Sequence, residues 1–270
     1  MAKVFTVDVA KCNGCYNCQL ACKDEHVEND WTPYAKPQPE IGQFWLKLEE
    51  NVCGSIPKVR IHYIPHLCNH CEKAACMQTC PSVFYRRDDG LVILDPEKCA
   101  GCETCLASCP YGAIYFNEDL NVSQKCTGCA HLLDNGFNSP RCVEACPTEA
   151  LQFGDEEDMQ DFIIGASVRM PETGLRPKVF YRNIPGKFIA GTVYDPVDKE
   201  VVIGARCRAT NGGKTVEVLS DDYGDFWFND LAVGKYDVVI EAKGFEFEVF
   251  NAINTAKDVN LGDIALTRKG

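Results

Sequence analysis

Sixteen of the eighteen cysteines in this 270-residue chain fall into four groups of four between residues 12 and 146, and nothing else in the sequence limits the fold as strongly. The third group is the most regular. It reads Lys98-Cys99-Ala100-Gly101-Cys102-Glu103-Thr104-Cys105-Leu106-Ala107-Ser108-Cys109-Pro110, with two, two and three residues between cysteines and proline after the last. Three thiolates on a tight loop reach three irons of one [4Fe–4S] cube. The fourth, about one helical turn further on, serves a second cube. Such a motif implies partners, and the chain supplies three. They are Cys12, Cys15, Cys18 and Cys22 (two, two, three), then Cys68, Cys71, Cys76 and Cys80 (two, four, three), and last Cys126, Cys129, Cys142 and Cys146, with twelve residues in the middle gap.

Two other uses of cysteine fit less well. A disulfide framework needs a secretory context and a small domain. Zinc modules use two separated pairs, whereas groups one and three place three thiolates within seven residues, which suits the corners of a cube better than one tetrahedral ion. Sixteen thiolates at four per cube give four clusters, or three if one quartet stays empty. The exchange of fourth cysteines predicts the sets Cys68, Cys71, Cys76 with Cys109 and Cys99, Cys102, Cys105 with Cys80. Across the chain it predicts Cys12, Cys15, Cys18 with Cys146 and Cys126, Cys129, Cys142 with Cys22. Four cubes in a row form a wire.

Repetition extends beyond the cysteines. Lys-Cys-x-Gly-Cys occurs at Lys11–Cys15, Lys98–Cys102 and Lys125–Cys129, and Cys-Pro closes three groups at Pro81, Pro110 and Pro147. Glycine suits a loop that bends around a cluster, and proline stops the short helix that carries the last ligand. The apolar runs Phe5–Asp8 and Val92–Asp95 precede groups one and three, and Ala113–Phe116 and Ala150–Phe153 follow groups three and four as matching strands. After Cys22 comes Lys23-Asp24 in place of proline, so the chain continues there as helix or loop. Residues 24–65 read as an insertion with a strand candidate at 43–48, and 131–141 as a second insertion with a turn at Asn135-Gly136.

Composition changes after Phe153. A short acidic-capped helix is expected in 155–170, and a linker spans 161–185. Residues 186–270 carry short strands at 187–194, 201–209, 214–219, 225–229, 235–242, 245–250 and 257–267, separated by turns such as Asn211-Gly212-Gly213 and Lys243-Gly244. Alternation places Arg206 and Arg208 in water and Cys207 inside, as a small apolar residue. Cys53 has no spacing partner and reads as a structural thiol. His70, inside the second motif, either tunes a cluster or packs beside its loop. His26, His62, His66 and His131 form no ligand pattern. Lys11, Lys98 and Lys125 either offset cluster charge or solvate the loops.

The net charge of −12, from 39 acidic and 27 basic side chains, argues against nucleic acid. The N-terminus shows no signal or twin-arginine pattern, and no apolar run approaches the ~20 residues of a membrane span. Cytoplasm is the expected compartment. No nucleophile–base pair, Walker loop or dinucleotide fingerprint appears. The chain moves electrons, with no catalytic residue and no small-molecule substrate of its own.

Four groups in this order, with Cys-x2-Cys-x4-Cys-x3-Cys-Pro second and a lengthened fourth, resemble the iron–sulfur subunits of the dimethyl-sulfoxide-reductase family of molybdenum enzymes, over residues 1–160. The resemblance implies a large catalytic partner carrying molybdopterin guanine dinucleotide, with the cube of Cys12, Cys15 and Cys18 nearest to it. Gly191-Thr192-Val193-Tyr194-Asp195, Gly204-Ala205-Arg206-Cys207, Asp222–Phe228 and Gly234–Val238 resemble prealbumin or carboxypeptidase-regulatory-like sandwiches. The implied fold class is α+β: two ferredoxin-like modules with insertions in 1–160, then an all-β sandwich in 186–270. The appended sandwich points to the polyphenol transhydroxylase branch of the family. The alternatives are a respiratory-type subunit for formate, sulfur or nitrogen compounds, and a partner-recruiting module with structural clusters.

The exchange of fourth cysteines is open to test. Replacing Cys80 with Ser is expected to alter the electron paramagnetic resonance signal of the third group's cube. A change confined to the second group's cube refutes the exchange.

Overall fold

The buried run Val4-Phe5-Thr6-Val7 lies in the strand Lys3–Asp8, the middle of a three-stranded sheet. An unbroken buried run is what a central strand covered on both faces requires. Leu151–Asp155 pairs antiparallel on one side, with Phe153 opposite Phe5. Val179–Arg182 pairs parallel on the other, with Val179 opposite Phe5. The computed structural model describes residues 2–270. They form two units: the chain up to Glu50 with His62–Ile184, and Asn51–Ile61 with Pro185–Gly270.

In the first unit the strand ahead of group one therefore pairs with the strand that follows group four. Two short hairpins join the other groups: Phe84–Arg86 with Val92–Leu94, and Ile114–Asn117 with Val122–Lys125. Six short helices accompany them: α1 (Asn17–His26), α2 (Ala75–Thr79), α3 (Thr104–Ser108), α4 (Ala130–Asp134), α5 (Arg141–Glu144) and α6 (Gln160–Ile163). Those ahead of the Cys-Pro pairs stop at or just before the cysteine, whereas α1, with no proline, runs on for four residues past Cys22. Helix α1 packs on α5 and α2 on α3. The cysteines themselves belong to the core: Cys18, Cys22, Cys68, Cys71, Cys105, Cys126 and Cys142 are buried with Phe5, Trp45, Leu91, Ile93 and Tyr181. None of the described helices is long and apolar enough to cross a membrane.

Several expectations change in the segments around the first unit. The segment 161–185 is not a linker throughout, because Val179 and Tyr181 are buried and Val179–Arg182 completes the first unit's sheet. The helix expected across 155–170 shrinks to α6, and Gly165, at φ +82°, follows its end in the left-handed region. The insertion 24–65 holds a long hairpin, Leu46–Ser55 with Lys58–Leu67, of which the sequence pattern revealed only the start.

The second unit contains two sheets. In one, Lys187–Asp195 pairs antiparallel with Asp225–Leu231 and Glu200–Val201 and parallel with Val259–Ala265. In the other, the order is Lys214–Leu219, Arg206–Asn211, Lys235–Glu241, Glu248–Asn254. Ile189, Val193, Phe226 and Phe228 of the first sheet share a core with Cys207, Ala209, Val238 and Ile240 of the second. Cys207 is fully buried, while Arg208 turns outward to Glu241 at 2.6 Å. The strand expected at 245–250 begins at Glu248, because Gly244 turns at φ +90° and Phe245 bridges to Arg268.

With its own core, the second unit should yield separately. Phe228→Ala removes a fully buried ring and is expected to cost about 3–5 kcal/mol. Thermal unfolding should show this unit melting early while the visible iron–sulfur absorbance persists. Bleaching in the same transition would contradict the separation.

Candidate metal centres

The loops are built so that backbone can approach a cluster. Gly14, Gly101 and Gly128 of the repeated Lys-Cys-x-Gly-Cys have φ of +74°, +72° and +64°. A Cβ on Gly14 would stand 2.5 Å from the Tyr63 ring, and one on Gly128 2.8 Å from Leu91. Tyr16, Glu103 and Cys129, each one or two residues on, are also left-handed, at +61°, +57° and +51°. In the first and third groups the left-handed residues alternate with Cys15 and Cys102, which have negative φ, and alternation of this kind turns successive N–H groups toward a common anion. The Gly128 N–H donates to Cys126 Sγ at 3.3 Å and the Ser123 N–H to Cys99 Sγ at 3.4 Å. In the second group His70 occupies the glycine position, at φ +42°.

The sets of four are not local in sequence. One cavity is lined by Cys68, Cys71, Cys76 and Cys109. Another is lined by Cys12, Cys15, Cys18 and Cys146, which bring together residues from both ends of the cysteine-rich region. Cys22, Cys126, Cys129 and Cys142 are all buried. Burial first, then the charges of Cys126 and Cys129, push the Cys22 thiol well up, and burial with Cys129, Cys22 and Cys126 does the same to Cys142. In the third loop Cys105 neighbours Cys99 and Cys102. Cys80 ends α2, half-buried against the same core. Two cavities are thus each lined by four cysteines drawn from two of the groups.

The donor set fits iron–sulfur clusters. Burial raises Cys18 to about 12, and burial with Cys68 raises Cys71 to about 12. Buried thiols of this kind ionise only when a metal's positive charge replaces the proton. All-sulfur cavities select soft metals and clusters over oxygen-seeking cations. Two cysteines run the other way: exposed Cys102 is held below the ordinary thiol value by the Thr104 hydroxyl 3.2 Å away and by backbone N–H groups, and in Cys146 the effect of burial is outweighed by the Leu151 N–H and the Thr148 hydroxyl and N–H.

Around these cavities the three repeated lysines part company. Lys11 is exposed, and Lys98 reaches Asp95 at 2.8 Å on the surface. Lys125 is 2% exposed and lines the Cys68, Cys71, Cys76 and Cys109 cavity. Nothing in the sequence separates it from the other two. His70 lines the same cavity. Its Nδ1 accepts the Val92 N–H at 3.1 Å, and its ring stacks on Phe5. His26 and His131, assigned no role from sequence, pack near the fourth group. His26 Nδ1 donates to the Cys22 carbonyl at 2.8 Å, and His131 lies between the Trp31 ring and Glu25. Cys53 lies in the second unit, where burial and then Asp258 raise its thiol. His62 lies in the first unit, as does His66, whose Nδ1 pairs with Glu49 at 2.9 Å.

Comparison with known proteins adds to this geometry. Residues 59–156 match the 4Fe-4S dicluster domain family, and residues 189–267 match the carboxypeptidase regulatory-like domain family. The chain is 36% identical over 273 residues to the pyrogallol hydroxytransferase small subunit of Pelobacter acidigallici, covering 97% of this chain and 98% of that one. It is 32% identical over 232 residues to the arsenate respiratory reductase iron–sulfur subunit of a Shewanella strain, covering 66% and 94%. With one subunit of the anaerobic dimethyl sulfoxide reductase of Escherichia coli it shares 38% over 157 residues, covering 58% and 75%.

Gly14 offers a direct probe of the loop argument. Gly14→Ala adds about 1–2 kcal/mol of left-handed strain and a contact with Tyr63. It is expected to lower the iron content by about four atoms, one cube's worth. Gly212→Ala, in a turn with open space at φ +53°, should leave iron unchanged. Equal iron in both variants would refute the close-approach role.

Proposed function

The chain belongs to the iron–sulfur subunits of the dimethyl-sulfoxide-reductase family of molybdenum enzymes, and from that premise we propose that it is the small subunit of a pyrogallol–phloroglucinol type transhydroxylase. As an iron–sulfur subunit it carries electrons to or from a large catalytic subunit. The observation that carries the finer reading is the extent of the similarity. It runs through both units to the pyrogallol hydroxytransferase small subunit, while the similarity to the two reductase subunits covers 58–66% of the chain.

In this reading the partner holds molybdenum on molybdopterin guanine dinucleotide, and the chain holds four [4Fe–4S] cubes. Their ligands are Cys12, Cys15, Cys18 with Cys146; Cys126, Cys129, Cys142 with Cys22; Cys68, Cys71, Cys76 with Cys109; and Cys99, Cys102, Cys105 with Cys80. The two cysteine-lined cavities and the buried Cys22, Cys126, Cys129 and Cys142 support the first three sets. The packing of α2 on α3 supports the fourth. Moving a hydroxyl between polyphenols transfers no electrons overall, so the relay sets the oxidation state of the metal and does not feed each turnover. Such a complex works in the cytoplasm. The 32–38% identities to arsenate and dimethyl sulfoxide reductase subunits favour, as a second reading, a respiratory complex docked to a quinone-reactive membrane protein.

Purification of the native complex separates the two. The expected result is a large molybdenum-bearing chain, about sixteen irons per molybdenum, and conversion of pyrogallol to phloroglucinol without an external electron acceptor. A membrane subunit in the complex, with no hydroxyl transfer, selects the respiratory reading. About twelve irons would mean that one quartet is empty.

A further inference from the structure

Lys125 is buried where its sequence equivalents are exposed. Its ammonium lies 2.5 Å from the Val92 carbonyl and 2.6 Å from the Cys126 carbonyl, at the wall of the cavity lined by Cys68, Cys71, Cys76 and Cys109. The other buried lysine among the described residues, Lys58, is paired with Asp225. Among the described residues no carboxylate is ion-paired with Lys125, which is held only by the two carbonyl dipoles. A buried charge without a counter-charge is strongly destabilising, so a position of this kind persists when something anionic occupies the cavity beside it. A cube bound by four thiolates is such an anion, and it becomes more negative on reduction.

We propose that Lys125 is the fixed positive charge of the cavity formed by Cys68, Cys71, Cys76 and Cys109, raising the reduction potential of the cube there and making this inner station the place where an electron rests in the relay. The inference rests on the cluster assignment above. A cation fixed in a low-dielectric wall favours the more negative state of its neighbour and is little screened by salt. The two carbonyls orient the ammonium without cancelling its charge. Because one of them belongs to Cys126, of the neighbouring quartet, Lys125 stands between two adjacent stations and biases both, the nearer cavity more.

A second group in the same wall acts in the same direction. His70 accepts the Val92 N–H at Nδ1, so its hydrogen is on Nε2, which is buried and has no protein partner. An N–H directed at cluster sulfur raises the potential, as does positive charge. Val92 orients both groups, its N–H holding His70 and its carbonyl holding Lys125.

The experiment is a redox titration of the whole complex, followed by electron paramagnetic resonance, for Lys125→Met, Lys125→Gln and Lys125→Arg beside Lys11→Met and Lys98→Met. Iron content is measured on every sample. The expected result is a lower midpoint potential for one cluster in Lys125→Met and Lys125→Gln, with a smaller fall in a second. Lys125→Arg and the two exposed-lysine variants should match the parent. If both neutral variants lose the iron of one cube while Lys125→Arg keeps it, the requirement for charge is shown by occupancy. Unchanged potentials in a neutral variant that retains its iron overturn the inference, as does iron loss from Lys125→Arg as well. A parent complex without four clusters overturns the assignment instead, so the two failures are told apart.

Discussion

Buried thiols cannot be ionised together without a positive charge among them, and the first unit depends on that constraint. Cys22 and Cys142 are raised by burial and by the thiolates of Cys126 and Cys129, and Cys18 and Cys71 reach about 12 through burial and neighbouring thiolates. With metal, each set of four becomes a covalent tie between distant parts of the chain. Without it the same residues are small apolar side chains around holes. Seven cysteines stand among the buried residues of this unit's core. The core and the metal site are therefore one object, and short helices of four or five residues, too short to persist alone, are held in place by what their cysteines bind.

Much of this was legible in the chain. Cysteine spacing indicated cubes, and Cys109 shares a cavity with Cys68, as Cys146 does with Cys12. The proline after Cys80, Cys109 and Cys146 marked helix ends that the structure has, and its absence after Cys22 marked the longer α1. What stayed hidden depends on long-range packing. Val179–Arg182 sits among prolines and polar residues, and only its parallel pairing with Lys3–Asp8 makes it a strand. Lys58–Leu67 has strand alternation, but Pro57 and Pro65 disguised it. Lys125 looks like Lys11 and Lys98 in sequence, because burial is decided by the strand it ends, Val122–Lys125, every residue of which is buried.

The second unit obeys different rules. Its core is aliphatic and aromatic, its sheets show alternation that the sequence reveals, and the one cysteine in that core, Cys207, is packing material. Its largest departure from expectation is at residues 201–209, where one expected strand is two, Glu200–Val201 in the first sheet and Arg206–Asn211 in the second, and Gly244 shortens the strand expected at 245–250. The first unit takes its order from metal, whereas the second takes it from hydrophobic burial.

The central place of Lys3–Asp8 has a consequence for biosynthesis. This strand leaves the ribosome early, yet both of its sheet neighbours, Leu151–Asp155 and Val179–Arg182, are made late. At about 5–20 residues per second, the N-terminal segment waits roughly 10–30 s for them. Cys12, Cys15 and Cys18 wait almost as long for Cys146. During that interval three reactive thiols and an apolar strand have no native place to go. Completion of a cube at this end of the protein therefore waits until Cys146 and the strand Val179–Arg182 have been made.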